Sequence, residues 1–206
     1  FEPLSEEQGR RRDAVVKAFV DYYRENTGAF PGGVGEGEYR QRMQLAYPIH
    51  PEFFDRLYKD WSTLDNFQRT RGVLRLMAGV ISVLWQRLDK SLLIMPGMLP
   101  LDEPSVLAEL GRYLPEGWDA VVHADIDGPT CLPLRIDQAH KNLGRYSAAR
   151  RTARAVYLAS APGATNNKGV DVKNILLAVA QPGESVGTFY DALARMSGEA
   201  TYLYVN

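Results

Sequence analysis

Two groups of arginines are the side chains best placed to do chemistry. The first is Arg71 and Arg75, where Gly72-Val73-Leu74-Arg75 has G-x-x-R spacing. On a helix, Arg71, Gly72, Arg75, Ala78, Gly79 and Ser82 share one face, small apart from its two arginines. A guanidinium on such a face can offer phosphate oxygens a planar fork of donors, and a solvated face is the alternative reading. The second group is Arg150, Arg151 and Arg154, with Lys141 and Arg145 nearby and no acid between Asp137 and Asp171. This basic sector, joined by Lys173, suits contact with nucleic-acid phosphates. The alternative is a solvated face, or one paired with the acidic stretch before it. Asp125, Asp127 and Asp137 offer oxygens to a hard cation, but Asp125-Ile126-Asp127-Gly128 lacks the other ligands of a calcium loop and reads as a turn, so no metal is expected. His50, His123 and His140 are far apart and pair with no nucleophile; His50, before Pro51, reads as a helix-capping or packing residue. Phosphate-loop, dinucleotide, H-E-x-x-H and G-x-S-x-G motifs are absent, so no catalytic residue is assigned.

The elements that position these groups are mostly helical. Ser5-Glu6-Glu7-Gln8 has capping-box spacing and predicts a helix over about 5–26. Pro31 to Gly37 is a loop, a short helix follows over 38–46, and His50-Pro51 opens another that runs to about Trp61. Residues 66–87 form the strongest helical pattern, with Val73, Leu74, Met77, Val80, Ile81, Leu84 and Trp85 as one apolar stripe and Leu74 and Met77 read as core. Residues 88–144 are broken by prolines, with short helices near 103–113 and 116–122. Helices then follow over 145–161, from Asp171 to Ala180 and from Ser185 to Gly198, with a strand over 201–205. Three helices and a strand give the order of a winged helix-turn-helix.

The chain has 206 residues and a formal net charge of −1. That composition excludes a disordered chain and a strongly basic tail. The total hides an asymmetry: residues 100–137 hold 2 basic and 8 acidic groups, and residues 141–206 hold 8 basic and 4 acidic. The lone Cys131 favours a reducing cytoplasm, and no uncharged run reaches the length of a membrane span, so no membrane partner is expected. The chain starts at Phe1 and stops within a predicted strand, which reads as a piece of a longer protein.

Tyr47-Pro48-Ile49-His50-Pro51-Glu52 and Asn66 to Leu76 resemble a family of large bacterial AAA+-type ATPases known mainly as a domain of unknown function. They are encoded beside DNA methyltransferases in anti-phage islands of the phage-growth-limitation and BREX types. Asp125 to Pro129, Gly144 to Arg151 and Gln181 to Glu184 extend the resemblance over most of the chain from about residue 40. The resemblance implies a mainly α fold: an AAA+ helical lid-like bundle followed by a winged helix-turn-helix-like module. The expected divisions are a lid-like domain over 1–99, an acidic, proline-broken connector over 100–143 and the winged-helix-like module over 144–206. It also implies that Arg75, with Arg71 second, is the sensor-2 arginine that touches a nucleotide's phosphates. Arg150, Arg151, Arg154 and Lys173 become the expected DNA contacts. ATP and Mg would be bound by the longer protein and neither by this piece alone, which lacks the phosphate loop. The expected partners are DNA, or a methyltransferase or other defence-system protein. The competing expectation is a helical protein–protein interaction module with no nucleotide or DNA role, its arginines structural.

Overall fold

A computed structural model describes residues 4–64, 66–67, 69–163 and 169–201. They form eleven helices: α1 (Glu6–Glu25), α2 (Gly37–Ala46), α3 (Pro51–Lys59), α4 (Arg69–Gln86), α5 (Pro104–Gly111), α6 (Trp118–Val121), α7 (Leu132–Ala139), α8 (Lys141–Gly144), α9 (Ala148–Ser160), α10 (Val172–Val179) and α11 (Val186–Glu199). The mainly α class holds. Among the described residues the only extended pairing is the bridge between Ile49 and Ile94. The predicted strand at 201–205 lies almost wholly outside the described residues.

Local chemistry starts the helices where it is expected to. Ser5 and Gln8 close a reciprocal capping box on α1, at 2.8 and 3.3 Å. The His50 ring accepts the Glu52 N–H at the head of α3, with Pro51 at the first helical position. Asp171 caps α10 through the Lys173 N–H. Helix α9 is capped from a distance. Its Ala149 and Arg150 N–H groups donate to the Asp137 carboxylate of α7, at 2.9 and 3.1 Å. That approach needs Gly144 at the corner between α8 and α9, because a Cβ there would lie 2.4 Å from the Asp137 carbonyl oxygen.

One hydrophobic cluster runs from Val16 on α1 to Met196 on α11, through both expected boundaries at 99/100 and 143/144. Trp61, fully buried, ties the first part to the last: its Nε1–H donates to the Leu158 carbonyl of α9 at 2.8 Å. Tyr22 of α1 likewise donates to the Glu184 carbonyl at 2.8 Å. The stretch 88–144 is more ordered than its prolines suggest. Prolines sit in the first turns of α5 and α7, where a missing N–H costs nothing, and α6 runs into a π-helical turn at Val122–Ile126.

A buried polar pair at the head of α3 sets a pH signature. His50 is fully buried; its Nδ1 accepts from Glu52, so the neutral ring directs its Nε2–H at the Tyr23 hydroxyl, 2.9 Å away. Burial drives its pKa from 6.5 down to about 3. Burial also raises the Glu52 carboxyl to about 7, against the opposing charge of Arg56. The Arg56 Nε lies 2.8 Å from that carboxylate yet makes no hydrogen bond, so direction is lost where distance is good. His50 contributes stability that is full above pH 6.5 and falls as the pH drops toward 3. Glu52 acts oppositely: its contribution is full below pH 4.5 and is lost as the pH rises through about 7. The two slopes oppose between pH 4.5 and 6.5. Glu52→Gln removes one of them, so chemical denaturation of this variant should show stability falling by about 3 kcal/mol more than wild type from pH 6.5 to 4.5. Parallel profiles for the two proteins would refute it.

Candidate functional site

Helix α4 is amphipathic in an unexpected way. Val73, Leu76, Met77, Val80, Val83 and Leu84 are buried, mainly toward α3 and α5. Leu74 is 64% exposed, Ile81 42% and Trp85 81%, and Leu88, just past the helix, 77%. The single stripe expected from sequence is therefore two, and reading Leu74 as core was wrong. The apolar arc is wider than its neighbours can cover. With Ala78, also exposed, the outward residues recur at 74, 78, 81, 85 and 88, alternating four and three apart. This is the spacing of a helix seam that another element covers.

The two arginines border that ridge near its N-terminal end, on one side, and both are exposed. The Arg75 Nη1 stands 3.5 Å from Glu109 of α5. Glu109 is nearly buried and also engages Arg112 at 3.2 Å and the Tyr113 hydroxyl at 3.0 Å. Arg71 has no acidic partner among the described residues. The small residues on this face have a packing reason. A Cβ on Gly72 would meet the Phe67 ring at 3.1 Å, and one on Gly79 would touch Val106 of α5 at 3.7 Å. Gly72 thus makes room for the Phe67 ring, whereas at Gly79 a Cβ would make only ordinary contact.

The α9 arginines are placed differently from the expected phosphate-facing array. Asp127 is almost wholly buried, and it takes both Arg150 and Arg154: Arg150 Nε at 3.0 Å and Arg154 Nη2 at 2.7 Å. Asp102 adds a second carboxylate, 3.6 Å from Arg150 and 3.5 Å from Arg154, and Arg87 closes on it at 2.8 Å. Burial pushes the Asp102 carboxyl up, but the Arg87 hydrogen bond and three guanidinium charges outweigh it and hold the carboxyl below its usual range. Arg151 points into the core. It pairs with Glu184 at 2.6 Å, donates to the Val179 carbonyl and stacks over Phe189, 5.0 Å from the ring centre. The acidic stretch and the basic end thus neutralise each other internally, the paired alternative for this sector. The acids considered for a cation have other duties: Asp127 binds guanidiniums and Asp137 caps α9. Lys173 remains exposed on α10.

Pairing with the acidic stretch was among the expected alternatives; what sequence reasoning missed was which residues meet. Asp127, Arg150, Arg151 and Glu184 come from three of the short motifs noted above, and they meet along α9 as two separate pairs, Asp127 with Arg150 and Glu184 with Arg151. A charge imbalance of opposite sign in neighbouring segments was the available signal.

Fold and site together define a mainly helical domain with an ion-paired interior helix and one uncovered amphipathic helix. Its family is that of the DUF499 second domain, a domain of unknown function: the family model matches residues 33–185, most of the chain, and the chain belongs to that family. No curated protein and no solved structure matches it. Among the described residues no helix is long and apolar enough to cross a membrane.

Proposed function

We propose that this domain is a helical lid that docks, through the outward face of α4, on the ATPase core of a longer protein and brings Arg75 and Arg71 to the phosphates of a bound nucleotide. The observation that carries the reading is the uncovered ridge of Leu74, Ile81, Trp85 and Leu88 with two exposed arginines beside it. Covering Trp85 alone would remove roughly 150–200 Å² of surface from water, on the order of 4 kcal/mol before the cost of docking. Arg75 is held loosely enough by Glu109 to exchange that carboxylate for a phosphate oxygen, and an arginine fork is suited to the charge that builds up in phosphoryl transfer. ATP and Mg would be held by the core, and lid closure would pass nucleotide state to the α9–α11 end, the winged-helix-like part of the reading. DNA-linked phage defence, with DNA or a methyltransferase as partner, is the setting the resemblance suggests. The internal pairing of Arg150, Arg151 and Arg154 argues against routing DNA contact through them, and leaves Lys173 as the exposed member of that set.

A second reading is favoured by the Arg75–Glu109 pair itself: a docking module in which the ridge binds a partner protein and the arginines only stabilise the domain. Arg75→Ala in the full-length protein separates the two. The lid reading expects ATP turnover to fall; unchanged turnover and nucleotide affinity would leave only the docking module.

A further inference from the structure

A groove of about 540 Å³ runs between the 89–92 loop, the corner before α9 and the 181–184 turn. It lies within the size range of small-molecule sites. Its hydrogen-bonding capacity is lopsided. Glu184 is fully engaged: one carboxylate oxygen takes Arg151 at 2.6 Å, and the other takes Arg151 at 3.0 Å and the Gln181 N–H at 2.9 Å. Gln181 is only 8% exposed, and its side-chain oxygen is fixed by the Leu92 N–H at 3.0 Å. That bond turns its NH₂ group into a donor with no partner among the described residues. Lys90 and Arg145, both exposed on this groove, have no carboxylate partner among the described residues either. The Arg145 guanidinium is steadied over the Tyr146 ring, 5.1 Å from its centre. Asp89, the remaining acid, is already bonded to the Ser91 N–H. Two cations and an amide donor are thus left over against the single remaining charge of Asp89, a net cationic and mainly donating set.

We propose that this groove binds a phosphate-bearing anion, a free nucleotide or the backbone of a nucleic-acid strand, between Lys90, Arg145 and the Gln181 amide. Phosphate oxygens would take the unpartnered donors, with the two cations supplying charge-assisted hydrogen bonds. The site is separate from the α4 arginines; Arg151 and Arg154 of α9 line its wall, but both are already held by carboxylates, Glu184 and Asp127.

The test is titration of the full chain at low salt with pyrophosphate, with ATP and with a short fluorescein-labelled single-stranded oligonucleotide. Binding should weaken at least tenfold in the Lys90→Ala/Arg145→Ala double variant. The melting temperature should hold, because neither residue carries an ion pair among the described residues. Gln181→Glu keeps the oxygen that holds Leu92 while replacing the donor, and should weaken binding as well. Capture of pyrophosphate and ATP at similar strength identifies a free-phosphate ligand. Capture of the oligonucleotide alone, with affinity falling as salt rises, identifies a strand. No binding of any of the three, binding indifferent to the double variant, or binding lost instead on Arg71→Ala/Arg75→Ala would overturn the proposal.

Discussion

Asp127→Ala should destabilise the domain by about 3–5 kcal/mol, because it strips the shared carboxylate from two largely buried guanidiniums. Arg150 and Arg154 would be left facing Asp102 alone, at 3.5–3.6 Å. The Asp102 N–H, which donates to Asp127 at 3.0 Å, would lose its acceptor too. Asp127→Asn offers no escape: it keeps the volume but sets an amide NH₂ against guanidinium donors. For a chain of this size the loss corresponds to a fall in melting temperature on the order of 10 °C. A change under about 1 kcal/mol would mean that the cluster behaves as a surface network, with its arginines free to serve an external ligand. The same geometry bears on any DNA-binding assay. Replacing Arg150 or Arg154 leaves Asp127 buried without full compensation, so lost binding would report lost folding unless stability is measured alongside.

If the domain is a lid as proposed, Arg75→Ala should lower ATP turnover by the full-length protein by about 100-fold while hardly altering the stability of this domain. The first expectation takes the usual effect of removing one charge-stabilising donor from a transition state, about 2.7 kcal/mol. The second follows from the surroundings. Arg75 is 45% exposed at its side chain and 3.5 Å from Glu109, and Glu109 keeps Arg112 and Tyr113 when Arg75 is gone. An exposed pair of this kind is worth no more than about 1 kcal/mol. Arg75→Lys should fail to restore activity, because a point charge does not replace a planar fork. Arg71→Ala should have a smaller effect. A domain that loses stability while turnover holds would instead assign Arg75 to the fold.

The helices that could be read from sequence were those whose signals are local. The capping box at Ser5, the His50-Pro51 start and the Asp171 cap are each satisfied within four residues, and all three form. Helices α7 and α8 were missed because their reasons are distant. The α7 carboxylate Asp137 caps α9, and the tight corner after α8 depends on Gly144 meeting the Asp137 carbonyl. Periodicity marked α4 as apolar but could not say which half of a wide apolar arc would find a neighbour; that depends on the placement of α3 and α5. Charge counting likewise gave the opposite signs of the middle and the end, but not that Asp102 and Asp127 close on Arg150 and Arg154. The site was thus legible as residues and charges, whereas its partition into buried ion pairs and an uncovered ridge belongs to tertiary structure.

The claim that the α4 face is a docking surface is tested most directly by hydroxyl-radical footprinting of Trp85 in this chain and in the full-length protein. Trp61, fully buried, is the internal control and should stay protected in both. The account predicts that Trp85, 81% exposed here, is oxidised readily in the chain alone and is protected on the order of tenfold in the full-length protein. Equal oxidation of Trp85 in the two would contradict it.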